Sequence, residues 1–138
     1  MNFDDNKVKY LEMIQSIITR MASNSFMLKG WAITLVAGTF ALLTRDSERL
    51  FFLIAYIPII LFWFLDSYYL QLERKYRELY NNSIQLPPDS IDFNLKITKK
   101  CNWQKKTYYF QSLFSITEFW FYFPSAILIS IVIALTLC

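Results

Sequence analysis

The sequence predicts an all-α membrane protein with three transmembrane helices, from its composition, its size and three apolar runs. Hydrophobic residues make up 55% of the 138 residues and charged residues only 18%, which is too apolar for a soluble domain. A chain this short buries only about 68% of its unfolded surface, so much of the apolar surface must face lipid. Each of three runs holds at most one charge and can cross a hydrocarbon core of about 30 Å. We therefore expect a single membrane domain.

The N-terminal elements follow from the spacing of apolar and charged residues. Residues 4–23 carry apolar side chains at steps of three or four with charged side chains between them, which predicts an amphipathic helix on the membrane surface or against a partner helix. Their charges also argue against a cleavable signal peptide. The predicted spans are residues 24–44, 50–70 and 119–137.

The segment between spans two and three is predicted to lie in the cytosol. Residues 71–84 continue the helical pattern of span two as a charged stalk. Pro87 and Pro88 end that helix, and residues 87–100 contain strictly alternating apolar and polar side chains, which predicts an extended segment. We expect it to pack against the stalk or to add to a strand of a neighbouring subunit. The helical period returns over residues 102–118, which predicts a cytosolic or interfacial helix.

The distribution of lysine and arginine predicts the orientation in the membrane. Of the 14 such residues, two lie in the turn between spans one and two. The others lie in the N-terminal segment through Lys29 or between spans two and three. The positive-inside rule then predicts a bacterial inner-membrane protein with a cytoplasmic N-terminus and a periplasmic or extracellular C-terminus.

Lys29 and Asp66 are the charged residues inside the first two predicted spans. They are equally far from the centre of the hairpin that these spans form, so antiparallel helices place them at one depth. A single charge in an apolar layer is costly, which favours an intramembrane ion pair. There are two alternatives. One of these residues could line an ion path, or each side chain could snorkel to the headgroups without pairing.

Small residues recur at four-residue steps in two spans, and such steps allow helices to approach closely in lipid. They are Gly30, Thr34 and Gly38 in span one and Ala126, Ser130 and Ala134 in span three. The pattern predicts either packing among the helices of one chain or a homo-oligomer interface. Since three helices enclose no channel, a pore would require several subunits.

Glu118 immediately precedes the third span. In an oligomer it would form a ring of carboxylates at the inner mouth of a pore. The alternative is a solvated carboxylate at the membrane boundary.

The composition argues against catalysis. Without histidine there is no imidazole base and no usual nitrogen ligand for zinc. The two glycines lie in an apolar run, and Cys101 and Cys138 are too far apart for a CxxC motif. We expect no cofactor and no metal. Aromatic residues beside lysines fit an interfacial belt, so no nucleic-acid partner is expected either.

Two runs resemble small bacterial membrane proteins of the RipA family, which are described as octameric. They extend from Arg20 to Trp31 (RMASNSFMLKGW) and from Asp66 to Arg77 (DSYYLQLERKYR). The same runs are broadly similar to SLATT-type two-helix effectors and to the pore-forming accessory membrane protein of type VI CRISPR systems. The similarity covers residues 20–80, and the third span departs from the two-helix pattern.

The resemblance implies a homo-oligomeric inner-membrane assembly that perturbs the membrane, with a link to anti-phage defence. The shared core that it implies is Arg20, Asn24, Lys29, Trp31, Asp66, Tyr69 and Arg74. We therefore expect a pore or membrane-perturbing effector whose partners are lipid and further copies of the chain. The alternative is a non-conducting anchor or accessory subunit that holds a soluble cytosolic protein.

The predicted topology can be tested with reporter fusions. A reporter placed after Cys138 is expected to behave as periplasmic and one placed near Pro87 as cytoplasmic, because the positively charged segments remain inside. The reverse pattern, or the same location for both reporters, would contradict the three-span topology.

Overall fold

The computed structural model describes residues 3–42, 53–91, 93–97 and 109–137. These residues form helices joined by turns and irregular chain, with residues 93–97 outside any helix, and no β-strand occurs among them. Short 3-10 turns lie at Leu53–Ala55 and Pro88–Ser90. The α-helices are α1 (Phe3–Leu42), α2 (Tyr56–Gln85), α3 (Tyr109–Leu113) and α4 (Ile116–Leu137).

Three of these helices, α1, α2 and α4, are long and apolar enough to cross a membrane. The prediction of three membrane-spanning helices is confirmed at this level. With 40 residues, α1 is about 60 Å long at about 1.5 Å per residue, roughly twice the thickness of a hydrocarbon core. Its N-terminal half therefore extends beyond the layer that its C-terminal half can cross.

The helix boundaries differ from those expected from the sequence. Residues 4–23 and 24–42 form one continuous helix, because no proline or glycine occurs before Gly30 to interrupt it. The predicted stalk is likewise the continuation of α2. The third long helix, α4, begins at Ile116, three residues before the predicted span. The short helix α3 ends at Leu113, so two non-helical residues separate α3 from α4. Residues 43–52 and 98–108 lie outside the described ranges, and so do the parts of the predictions that fall on them.

One apolar cluster joins the membrane-spanning parts of the helices. Its buried members come from α1, from the turn before α2, from α2 and from α4, and they are Ala32, Ala55, Ile59, Tyr122 and Ile129. Trp63 and Val36 pack against the same cluster. The contact of Lys7 with the end of α2 and of Lys29 with its middle shows that α1 and α2 are antiparallel.

A second apolar cluster lies between the N-terminal half of α1 and the C-terminal half of α2. Its buried members are Tyr10, Ile14, Ile18 and Ile91. The stalk side chains Tyr76, Leu79 and Tyr80 pack against them, together with Leu95. The chain that follows α2 therefore folds back onto both helices, and the Tyr10 hydroxyl donates a hydrogen bond of 3.0 Å to the carbonyl of Asn94.

Lys7 stabilises the end of α2. The last carbonyls of a helix lack partners within the helix, and Pro87 and Pro88 have no N–H groups to offer them. Lys7 Nζ donates hydrogen bonds to the carbonyls of Ile84 at 3.0 Å and Leu86 at 2.7 Å. A cation from α1 thus also meets the negative end of the α2 dipole.

The second cluster predicts the effect of truncating its central residue. Ile14 is fully buried at 0% exposure, so Ile14→Ala should lower the free energy of unfolding by about 2–5 kcal/mol. Its neighbour Met13 is 46% exposed, and Met13→Ala is the matched control with a much smaller expected effect. Denaturant titration of the protein in detergent measures both. Equal losses would contradict the packing of α1 against the stalk.

Candidate functional site

The three long helices meet at one ammonium group. Lys29 of α1 forms a salt bridge with Asp66 Oδ2 of α2, and its Nζ lies 3.2 Å from Glu118 Oε1 of α4. The ion pair expected from the hairpin symmetry is therefore present, and a second carboxylate from the third span joins it. We call Lys29, Asp66 and Glu118 the charge cluster.

Each helix presents its charged residue on the face that it buries. In α1, Lys29 lies three residues before the buried Ala32, and in α2, Asp66 lies seven residues after the buried Ile59. In α4, Glu118 precedes the buried Tyr122 by four residues. Residues three, four or seven apart share a helix face, so the packing of the apolar cluster also brings the three charges together.

The carboxylates are removed from solvent, whereas the ammonium is less completely buried. The side chains of Asp66 and Glu118 are 0% and 1% exposed, and that of Lys29 is 16% exposed. Asp66 Oδ2 also accepts a hydrogen bond of 3.1 Å from the Tyr122 hydroxyl. Lys29 Nζ lies 3.2 Å from Ser25 Oγ. The rings of Phe121 and Tyr122 lie 5.7 Å and 5.9 Å from Nζ, within cation–π distance.

The charges of the cluster do not balance if all three groups are ionised. One ammonium faces two carboxylates, and among the described residues no second cation lies within salt-bridge distance of either carboxylate. Asp66 Oδ1 and Glu118 Oε2 are buried and find no hydrogen-bond partner in the described part of the chain. Buried oxygens without a donor are costly, so the cluster can accept a further positive group.

Polar contacts from α2 hold α3 and the start of α4 in place near the cluster. The Arg74 guanidinium donates to the hydroxyl groups of Ser115 at 2.7 Å and Ser112 at 3.4 Å. Trp63 Nε1 donates to the carbonyl of Leu113 at 3.1 Å. Because Ser115 lies three residues before Glu118, these contacts determine where that carboxylate enters the helix packing.

The small residues of span one face away from the helices of their own chain. A Cβ atom built at Gly30 or Gly38 would meet nothing within 4 Å. Thr34 is exposed, and its hydroxyl donates to the carbonyl of Gly30 at 2.9 Å. Lys29 and Ala32 occupy the opposite face, which is the buried one.

The small residues of span three lie partly against α2. Ser130 Oγ shares a hydrogen bond of 2.6 Å with the Tyr56 hydroxyl. Ala126 is half-buried and Ala134 is exposed. The α4 pattern therefore contributes to packing within the chain, unlike the pattern of α1.

The residues of the implied shared core divide into two groups. Lys29 and Asp66 belong to the charge cluster, and Arg74 supports it through Ser112 and Ser115. Arg20 and Asn24 instead line a polar groove on the exposed side of α1.

The sequence interpretation missed Tyr122 and placed Glu118 elsewhere. The sequence predicts a pore-mouth or a solvated carboxylate at Glu118, whereas in the single chain this side chain is 1% exposed and contacts Lys29 inside the helix packing. The available signal was the four-residue spacing of Glu118 and Tyr122, which puts both on one face of α4. Among the described residues, no group of three histidine, cysteine or acidic side chains could hold a metal ion.

Comparison with protein-family models, with curated proteins and with solved structures produced no match.

A double-mutant cycle tests the charge cluster. Lys29→Met leaves two facing carboxylates and should cost about 3–5 kcal/mol of unfolding free energy. Asp66→Leu should cost less, because Glu118 still pairs with Lys29. The double variant should lose less than the sum, with a coupling of about 0.5–3 kcal/mol.

The pair Glu73 and Arg77 provides the control cycle, since it is an i,i+4 pair with a 2.7 Å contact whose arginine is 59% exposed. Such pairs contribute about 0.3–0.5 kcal/mol. If the losses of unfolding free energy for Lys29→Met and Asp66→Leu simply add in the double variant, the pairing is excluded.

Proposed function

We propose that this chain is a homo-oligomeric protein of the bacterial inner membrane, with a cytoplasmic N-terminus, that acts as a pore or membrane-perturbing effector. One observation carries the proposal: the Gly30, Thr34 and Gly38 face of α1 is open and points away from the helices of its own chain.

An open glycine face favours association with another helix. Lipid chains are as apolar as helix surfaces, so helices in a membrane associate mainly through close van der Waals packing and interhelical hydrogen bonds. Glycine lets two backbones approach and thereby creates such packing. None of the described residues packs against this face, and a second copy of the chain is the partner that we propose for it.

An oligomer is also the form in which the chain could conduct. The charge cluster lies inside each subunit, and the side chain of Glu118 is 1% exposed. A pore in this proposal is therefore formed between subunits and is not lined by Glu118. The resemblance of residues 20–80 to membrane effectors is the support for assigning membrane perturbation, and with it a role in anti-phage defence, to this assembly.

A second candidate is a non-conducting anchor that holds a soluble cytosolic protein. An open groove on the N-terminal half of α1 supports it, because all seven lining residues are polar or charged. They are Glu12, Gln15, Ser16, Thr19, Arg20, Ser23 and Asn24. Hydroxyl, amide and charged groups in one groove would suit a polar protein surface rather than lipid.

The oligomer interface can be tested at Gly38. Gly38→Leu fills the open face and should lower the oligomer mass in detergent, while the fold of the subunit survives because the new side chain meets no neighbour. The control is Ile33→Phe, which adds bulk at a residue that is 54% exposed on another flank of α1. Ser130→Leu should instead affect subunit stability through loss of the Tyr56 contact. An unchanged mass for Gly38→Leu would remove this face from the interface.

Flux across liposomes separates the two candidate functions. Wild-type protein should release a small trapped dye or ion, and Gly38→Leu should reduce the release in proportion to its loss of oligomer. An intact oligomer that releases nothing, with the cytosolic partner added, would favour the anchor.

A further inference from the structure

We propose that the charge cluster is a proton-binding site, in which one proton resides on Glu118. The inference concerns the interior of a single subunit. It does not depend on the proposed pore or on oligomerisation.

The first argument is electroneutrality. With Lys29 positive and both carboxylates negative, the cluster would carry one uncompensated negative charge among side chains that are 0–16% exposed. An unpaired charge in an apolar environment is strongly disfavoured, and carboxyl groups in such places take up a proton instead. One proton makes the cluster neutral.

The second argument is the pair of oxygens that lack donors. Asp66 Oδ1 and Glu118 Oε2 are both buried and accept no hydrogen bond from the described residues. An ionised carboxylate can only accept hydrogen bonds, whereas a protonated one also donates. A proton therefore supplies the donor that the cluster lacks.

The hydrogen bonds indicate which carboxylate holds the proton. Asp66 Oδ2 receives the Lys29 salt bridge and a hydrogen bond from Tyr122, and both favour its charged form. Glu118 receives one contact, from Lys29 at 3.2 Å. Glu118 is thus the less stabilised anion and the site of protonation.

The groups that face Glu118 come from each long helix. They are Lys29 of α1, Asp66 of α2 and Tyr122 of α4 itself. Arg74 is held at Ser112 and Ser115, at the entrance to α4. Tyr109 of α3 donates its hydroxyl to the carbonyl of Phe64 at 3.1 Å and is engaged there.

The Glu118 proton can reach water through Lys29 if the ammonium first donates a proton outwards, to the Ser25 hydroxyl or to water, and then takes up the proton that Glu118 releases. Lys29 is the partly exposed member of the cluster, and its Nζ contacts the half-buried Ser25 hydroxyl one turn towards the N-terminus. Release converts the Glu118 carboxyl to a carboxylate and delivers one proton to solvent. The charge left behind weakens the packing of α4 against α1 and α2, so proton release is coupled to the arrangement of the third helix.

Infrared spectroscopy of the full chain in liposomes tests the site directly. At neutral pH the wild type should show the carbonyl stretching band of a protonated carboxylic acid, and the band should disappear at alkaline pH. Glu118→Gln should lack it. The control Glu73→Gln should retain it, because Glu73 pairs with Arg77 on the helix surface.

Asp66→Asn tests the charge argument itself. It leaves one carboxylate for one ammonium, so Glu118 should ionise and the band should vanish although Glu118 is still present. A band that persists in Glu118→Gln and vanishes only in Asp66→Asn would assign the proton to Asp66 and overturn the proposal. No band in the wild type, with stability that instead rises with sodium concentration at fixed pH, would assign the site to a metal cation.

Stability measurements give a second readout. A proton bound in the fold and lost on unfolding makes the wild type less stable as the pH rises through the ionisation of Glu118. Glu118→Gln imitates the neutral carboxyl, so it should abolish this decline while remaining folded at neutral pH. The same decline in wild type and Glu118→Gln would contradict the proposal.

Discussion

The ammonium group of Lys29 is the point at which all three long helices meet. Asp66 and Glu118 come from helices that are distant in sequence, and both carboxylates turn to the same nitrogen. In lipid there is no hydrophobic force to drive helices together, so specific polar contacts and close packing determine how they associate. The charge cluster makes the position of each helix depend on the other two, because each helix supplies one of the three groups that contact one another.

Apolar packing surrounds this interaction on both sides. Towards the C-terminal end of α1, Ala32 packs with residues of α2 and α4. Towards its N-terminus, Tyr10 and Ile14 pack with the stalk and with the chain that returns at Ile91. The second cluster contains the charged, N-terminal part of α1, which a span of about 30 Å of hydrocarbon would leave in water, where the hydrophobic effect favours its packing. One continuous helix therefore takes part in two kinds of packing, with the charge cluster between them.

Because the charged side chains of the cluster point into the helix packing, the face of α1 opposite Lys29 remains exposed. Once Lys29 and its partners are buried, the opposite face of α1 carries Gly30, Thr34 and Gly38. That surface carries small side chains, lacks charge and is suited to a second helix. The orientation of α1 about its own axis thus determines both the charge cluster and the open face. The proposed proton site and the proposed oligomer interface lie on opposite sides of this helix.

The sequence by itself determined the number of spanning helices, because only a helix satisfies its own backbone hydrogen bonds in lipid and its length must match the hydrocarbon core. It also placed Lys29 and Asp66 at one depth, because residues equally far in sequence from the midpoint between two antiparallel helices lie at the same depth. Only the tertiary structure decided that Glu118 joins them and that Gly38 faces outward. Both depend on how each helix is rotated about its axis, and that rotation results from side-chain packing between segments far apart in the chain, such as Tyr122 on Asp66. Helical periodicity defines the faces of a helix but not which face meets which neighbour.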